Sequence, residues 1–376
     1  MVKLVIAPKG LAGIIVSETG LSHVDGENGK LIYCGYDIEE LLNCSYEEIC
    51  YLLLYGELPN QGQLEIIEDI LKTERVVPKF VLDFIANKAK KNHPMAILRS
   101  SISMLSVMDY DLENMSENNL KSIGLSLISK TATIAAAICR VRNGLKILPP
   151  KRKLGHAANF LQMSKGEQPE DIIARTLDAA LVLHADHSFN ASTFTNRVVA
   201  SSLSDLISSI TAAIGSLKGS LHGGANTAVM KMLLEIGEVK NVKPWLDQAL
   251  ARKDKIMGFG HRVYKVLDPR AKPLKQMSKE WSERVGNIKW FNISENLEAL
   301  MREKKGINAN VDFYSATTYY AMGIQPEMFT VIFAMARVLG WVAHYIEQMQ
   351  DNRIMRPVSS YIGPKGKLFM PIQKRK

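Results

Sequence analysis

The chain has 376 residues, 47% of them hydrophobic, which is enough for a sizeable core arranged as two domains or one large one. Its formal net charge of +9 comes from dispersed Lys and Arg, with no long basic run interleaved with aromatics, so anionic small molecules suit it better than nucleic acid. The four cysteines (Cys34, Cys44, Cys50, Cys139) lack C-x-x-C spacing, which argues against a zinc site or a disulfide framework and fits a reducing cytoplasm.

Aromatics make up only 7% of the chain while Ala, Leu, Ile and Met abound, a mixture that favours packed helices, so an all-α fold is expected. The opening MVKLVIAPKG has too short an apolar run for a signal peptide, and nothing in it directs export. SHVD and KLIYCG flank GENG, which reads as a β-hairpin because Gly and Asn supply the positive φ of tight turns. Asp37 is expected to cap a helix through Leu41 and Leu42. Ser45 followed by Glu48 is a capping-box signal ahead of CYLLLYG, with Gly56 and Pro59 as the stop. Helical patterns follow at about 62–74, 78–90, 95–109 and 117–144. TATIAAAIC and SSLSDLISSITAAIGSL are rich in small residues that let helix axes approach closely, in a core or across a subunit interface. From 224 to 327 the chain turns to charged short helices, which suggests a second, smaller domain, with 1–223 and 328–376 together forming the first. From Met328 to Ile346 the only charge is Arg337, so this stretch reads as a buried soluble helix and no membrane span is expected.

Five clusters carry candidate chemistry. In LVLHADHSFNAST, His184 shares an apolar helical face with Leu177, Ala180 and Leu181 and reads as a core histidine, whereas His187 lies near the helix end; without H-E-x-x-H or a cysteine ligand, no metal site is indicated. In GSLHGGAN, His222 precedes two glycines that allow unusual backbone angles and close approach of a ligand, or merely a helix-end turn. KIMGFGHRVYKVLDPR brings His261, Arg262, Lys265 and Arg270 together around a Gly-x-Gly; it is not a dinucleotide fingerprint, but it suits phosphate or carboxylate. In NANVDFYSA, Asp312 is either a helix cap or, if buried, a base of raised pKa. Arg337 stands alone in its apolar helix and needs an anionic partner, while Arg353 and Arg356 in DNRIMRPVSS could be surface charges.

The order of these motifs (HADH, LHGGAN, GFGHRVYKVLDPR, NVDFYSA, then MARVLG and MRP) resembles the citrate synthase family over nearly the whole chain, and the compact length is similar to its archaeal and short bacterial members. The resemblance implies a nearly all-helical homodimer with a large domain and a small mobile one. The reaction it implies joins the methyl carbon of acetyl-CoA to the ketone of oxaloacetate with no cofactor and no metal. Carried over by motif, His222 would hold the thioester carbonyl, Asp312 would remove the methyl proton, and His261 would bind and protonate the ketone. His187, Arg270 and Arg337 would hold oxaloacetate, with Arg356 reaching in from the opposite subunit. The loop from Lys255 to Arg262, with Ile256, Gly258 and Gly260, resembles the CoA-adenine loop, with Arg262, Lys265 and Lys305 as phosphate partners and Asn310 on the pantetheine side. Ser188 and Val358 depart from the acidic and basic residues that relatives often carry there. Similar family members are 2-methylcitrate synthases acting on propionyl-CoA, whose extra methylene a pocket discriminates by about 1–3 kcal/mol. A non-catalytic CoA-binding helical protein would keep the basic loop without requiring His222, His261 and Asp312 together.

Overall fold

The computed structural model describes residues 5–375 and is built almost wholly of helices. The first four residues of the MVKLVIAPKG opening and Lys376 lie outside the described part. A small antiparallel sheet comes first: β1 (Ser22–Asp25) pairs with β2 (Lys30–Tyr33), Ser22 opposite Tyr33, and β2 pairs with β3 (Tyr36–Asp37). The hairpin turn falls on GENG as expected, but its two glycines serve different ends. Gly29 takes the left-handed φ of 68°. Gly26 is needed for proximity, because a Cβ there would lie 2.3 Å from the carbonyl oxygen of Val263, and its own carbonyl accepts from Lys265 N at 2.9 Å. The hairpin tip therefore rests on the 263–267 loop. Asp37 does not cap a helix. It closes β3, its carboxylate accepts from Glu39 N at 3.2 Å, and the short 3₁₀ turn Glu40–Asn43 begins beyond it.

Nine helices follow before the glycine pair at 223–224: α1 (Tyr46–Tyr55), α2 (Gln61–Thr73), α3 (Lys79–Lys88), α4 (Pro94–Met104), α5 (Glu117–Arg142), α6 (His156–Lys165), α7 (Asp171–His184), α8 (Ala191–Ala200) and α9 (Leu206–Leu217). Their starts follow the local chemistry. Ser45 and Glu48 form the reciprocal capping box at α1, and Gly56 ends that helix in the left-handed region. Asn60 and Gln63 repeat the device at α2, and Asp205 caps α9. Small residues do allow close helix approach: a Cβ on Gly124 of α5 would stand 2.3 Å from a methyl of Val342.

The 224–327 stretch supplies α10 (Ala225–Ile236), α11 (Val242–Ala251), α12 (Ala271–Arg284), α13 (Lys289–Lys305) and α14 (Val311–Ala321), with α12 and α10 packed on α14 and α11 on α13. The chain then returns through α15 (Phe329–Gln350), which packs against α5, α7, α8 and α9. Helices α5 and α15 are long and apolar enough to cross a membrane. Their apolar windows are 94% and 100% buried within the fold, however, so both are core helices whose apolar faces are already covered.

Candidate active site

Three histidines, His187, His222 and His261, gather around one cleft with Arg270 and Arg337, and hydrogen-bond geometry assigns the ring hydrogens of two. His222 sits in the turn between α9 and α10, its Nε2 2.9 Å from Ser192 Oγ and 3.3 Å from the Ser192 backbone N–H. A backbone N–H can only donate, so Nε2 accepts and the ring hydrogen is on Nδ1. His261 is the mirror case. Its Nδ1 accepts from the N–H groups of Val263 and Tyr264, both at 3.0 Å, which leaves the hydrogen on Nε2. Neither ring hydrogen has a protein acceptor among the described residues. Burial, helped by Arg337, pushes the His222 pKa down to about 4; burial and Arg270 do the same to His261. Both rings are therefore neutral hydrogen-bond donors at neutral pH. His187 lies beyond the end of α7, its ring centre 5.3 Å from that of His261 and its Nε2 3.3 Å from Tyr264 Oη. Burial and the Arg270 charge hold it well below its usual range. His184 is the core histidine its apolar stripe implied: Nδ1 bonds Ala180 O at 2.7 Å and the ring meets Phe333 edge-on.

Two buried arginines give the cleft its charge. Arg337, midway along α15, donates from Nε to His184 O at 2.7 Å and packs 4.8 Å over the Phe333 ring, while its buried Nη2 has no partner. Burial draws its pKa down to about 10, so it stays charged. Arg270 forms a two-pronged pair with Asp268, Nε to Oδ1 at 2.9 Å and Nη2 to Oδ2 at 2.8 Å. Burial opposes its charge, but the Asp268 carboxylate holds its pKa above the usual arginine range. Asp312 lies in the first turn of α14 and does not cap it. Asn310 is the cap, accepting from Asp312 N at 3.0 Å. Asp312 Oδ1 is buried without a partner, and burial outweighs Arg270 to raise the carboxyl pKa to about 7.

The loop from Lys255 to Arg262 is laid against residues 308–310: Gly260 N donates to Asn308 O at 3.0 Å and Asn310 N to Gly258 O at 2.9 Å. Asn310 Nδ2 reaches Gly260 O at 2.8 Å, so its side chain caps α14 with one end and holds the loop with the other. Gly258 has a φ of 82°, and a Cβ there would meet Val229 and Phe313 under 3 Å. Ile256 is buried, while Lys255 and Lys305 are exposed and make no ion pair among the described residues. Arg262 donates to Gly10 O at 3.0 Å and Lys265 pairs with Glu27. A pocket of about 230 Å³ opens beside His261 between this loop and Gly306–Asn310. A larger recess of about 360 Å³ among Tyr55, Glu117, Lys121 and Gln350 contains none of these cleft histidines. Arg356 is exposed and touches none of the cleft groups by hydrogen bond or ion pair.

Comparison with known proteins decides the family. The model of the citrate synthase C-terminal domain matches residues 10–358. The chain is 46% identical to a citrate synthase of Haloferax volcanii, with 98% of each chain covered, and 39% identical to 2-methylcitrate synthase 1 of Corynebacterium glutamicum, again with 98% of each. The citrate synthase of Thermoplasma acidophilum, solved as a ternary complex with carboxymethyl coenzyme A and oxaloacetate, superposes at a TM-score of 0.93 with 32% identity, covering 98% of this chain and 99% of that one. The chain belongs to the citrate synthase family. It is accordingly an enzyme of the acyltransferase class.

The glycines after His222 lie in the turn between α9 and α10, as the helix-end reading expected. Neither has a positive φ, and Gly223 has no room for a side chain because a Cβ would strike Leu217 at 2.5 Å at the end of α9. Sequence reasoning missed four residues that shape the cleft. Asp268 grips Arg270, Tyr264 supports His187, Ser192 orients His222, and Phe333 lies beneath both Arg337 and His184. An acid two places before an arginine in LDPR was the one available signal; the rest depends on through-space packing.

Proposed function

We propose that the enzyme condenses acetyl-CoA with oxaloacetate and hydrolyses the resulting thioester to citrate and CoA. The observation that carries this reading is a carboxyl group with pKa about 7 and an unpartnered buried oxygen, sharing a cleft with two histidines set as neutral donors. Asp312 takes a proton from the thioester methyl group, while His222 donates from Nδ1 to the thioester oxygen so that charge never develops fully on the enol. The enol carbon then attacks the oxaloacetate ketone. His261 polarises that ketone from Nε2 and supplies the proton its oxygen takes up as the carbon–carbon bond forms. Water next cleaves the citryl thioester, releasing CoA as its thiol and citrate, while Asp312 gives up the methyl proton to solvent and His261 takes one back.

Arg337 and Arg270, with His187 between their fields, hold the two oxaloacetate carboxylates, for which the planar guanidinium fork is suited. Asp268 keeps Arg270 charged and aimed. On the CoA side, Lys255, Ile256, Gly258 and Gly260 form the adenine loop, and Lys305 and Arg262 meet the phosphates. Lys265 must give up Glu27 before it can join them, and Asn310 acts on the pantetheine side while bracing the loop. Residues 224–327 serve as the small mobile domain, whose closure excludes water until condensation is complete. The working form is a cytoplasmic homodimer, with Arg356 contributed across the interface.

The test is oxaloacetate-dependent release of CoA thiol, run with acetyl-CoA and propionyl-CoA and with Asp312→Asn as control. Release that disappears in the variant supports condensation. The ratio of the two kcat/KM values then separates citrate from 2-methylcitrate synthesis, the second reading favoured by the 2-methylcitrate synthase among the relatives. If CoA binds and neither thioester reacts, the chain is a CoA-binding protein and the catalytic reading fails.

A further inference from the structure

Behind His187 a row of buried polar groups runs away from the cleft. Asp186 is fully buried, and its Oδ2 accepts from Ser22 Oγ, from the Ser188 N–H at 3.0 Å and from His344 Nε2 at 3.2 Å. The other ring nitrogen of His344, Nδ1, lies 3.3 Å from Arg197 Nη1, an atom that can only donate. His344 therefore carries its hydrogen on Nε2 and directs it at Asp186. Arg197 is in turn paired with Glu347, whose Oε1 accepts from Gly20 N at 2.8 Å and Thr19 Oγ1 at 3.2 Å. Carboxylate, guanidinium, imidazole and carboxylate thus form one unbroken series from the segment ahead of β1 to the loop after α7.

That series ends on a strained backbone. Ser188 has a φ of 48°, a left-handed conformation costing a serine about 1 kcal/mol, and its N–H is gripped by both Asp186 Oδ2 and Ser22 Oγ, the latter at 2.9 Å. The residue immediately before it is His187. On the other flank, burial works against the charge of Arg337 and Asp186 is the chief group supporting it. Helix α15 presses on the same point, since a Cβ on Gly340 would lie 2.6 Å from Asp186 Oδ1 and 2.5 Å from Ala185 O. Asp186 touches neither ring nitrogen of His187 and makes no hydrogen bond to Arg337, so it acts through the backbone and through its field.

We propose that Asp186 is a positioning residue for the oxaloacetate half of the site: braced by His344, Arg197 and Glu347, it holds the Ser188 backbone, and with it His187, in place beside Arg337. This rests on the function proposed above. The experiment is calorimetric titration with oxaloacetate, which needs no turnover, alongside the acetyl-CoA KM measured at saturating oxaloacetate. Asp186→Asn keeps the shape and removes the charge, and it is expected to weaken oxaloacetate binding about 10-fold while leaving the acetyl-CoA KM within about 2-fold of wild type. Oxaloacetate binding within about 2-fold of wild type, or equal weakening toward both substrates, overturns the proposal. Should Asp186→Asn fail to fold, the pair His344→Gln and His344→Leu decides. Glutamine retains an N–H donor to Asp186 and is expected to bind oxaloacetate like wild type, whereas leucine weakens binding at least about 3-fold; equal behaviour of the two overturns the assignment. A wild-type protein that binds oxaloacetate without releasing CoA thiol defeats the condensation reading alone, and one that binds no oxaloacetate defeats both.

Discussion

A carboxyl group placed among arginines would ordinarily be held ionised to low pH, yet Asp312 goes the other way. Burial comes first among the influences on it, ahead of Arg270, whose charge is already engaged by Asp268. A base with a pKa of about 7 is matched to work near neutrality. The rate of condensation at limiting acetyl-CoA should therefore fall tenfold per pH unit on the acid side of about 7, and a profile flat down to about pH 5 would remove Asp312 from the role. Stability should move oppositely. Because the folded-state pKa is raised above the unfolded value, the protonated form is favoured by folding, and that advantage is fully present below about pH 4 and lost as pH rises through about 7. Asp312→Asn should then be more stable than wild type by about 1–3 kcal/mol at about pH 8, with the gap closing toward pH 4, as thermal or denaturant melts would measure. The same variant should lower kcat by at least about 10²-fold, so that activity and stability part company at one atom.

At the scale of elements, much was legible because local rules were obeyed. The Ser45–Glu48 box, the glycine stop at 56 and the four helical stretches before residue 144 lie within a few residues of their expected bounds, since capping and periodicity are local chemistry. What failed was the inference in which the residue's reason lies far along the chain: Gly26 is small because of Val263. Asp37 resembled a cap, but its segment pairs with β2 instead. Catalytic candidates were legible only through the order of whole motifs, while their tautomers and partners required the packed structure. Two substitutions separate the two kinds of information. Ser45→Ala removes a local cap and should cost about 1 kcal/mol with both KM values unchanged. Gly258→Ala forces a Cβ within 2.7 Å of Val229 at a positive φ, which should cost about 1–3 kcal/mol and, on the proposed CoA role of this loop, also raise the acetyl-CoA KM. Equal KM values in the glycine variant would detach that loop from CoA binding.

At the scale of the molecule, the single chain leaves its C-terminal segment without cover: Ile362, Leu368 and Phe369 are 96%, 89% and 83% exposed, and Arg356 points from the same extended stretch. Apolar groups of that size would suit the proposed dimer, in which each segment would lie on its neighbour. The proposal that Arg356 completes the partner's site can be separated from the alternative that it serves its own by mixing two inactive proteins. Arg356→Ala and Asp312→Asn homodimers each lack one group in both sites. In the mixed dimer, an arginine that crosses over restores one complete site, in the chain that still has Asp312. An arginine that acts within its own chain restores none. Random reassortment of equal amounts makes about half the dimers mixed, with one working site in two, so crossing predicts recovery of about a quarter of wild-type activity. Recovery should appear only after subunits have exchanged, and it should be lost again when the Asp312→Asn partner also carries Arg356→Ala. Failure to recover activity, with exchange confirmed by mass, would place Arg356 in its own chain's service or outside the site altogether.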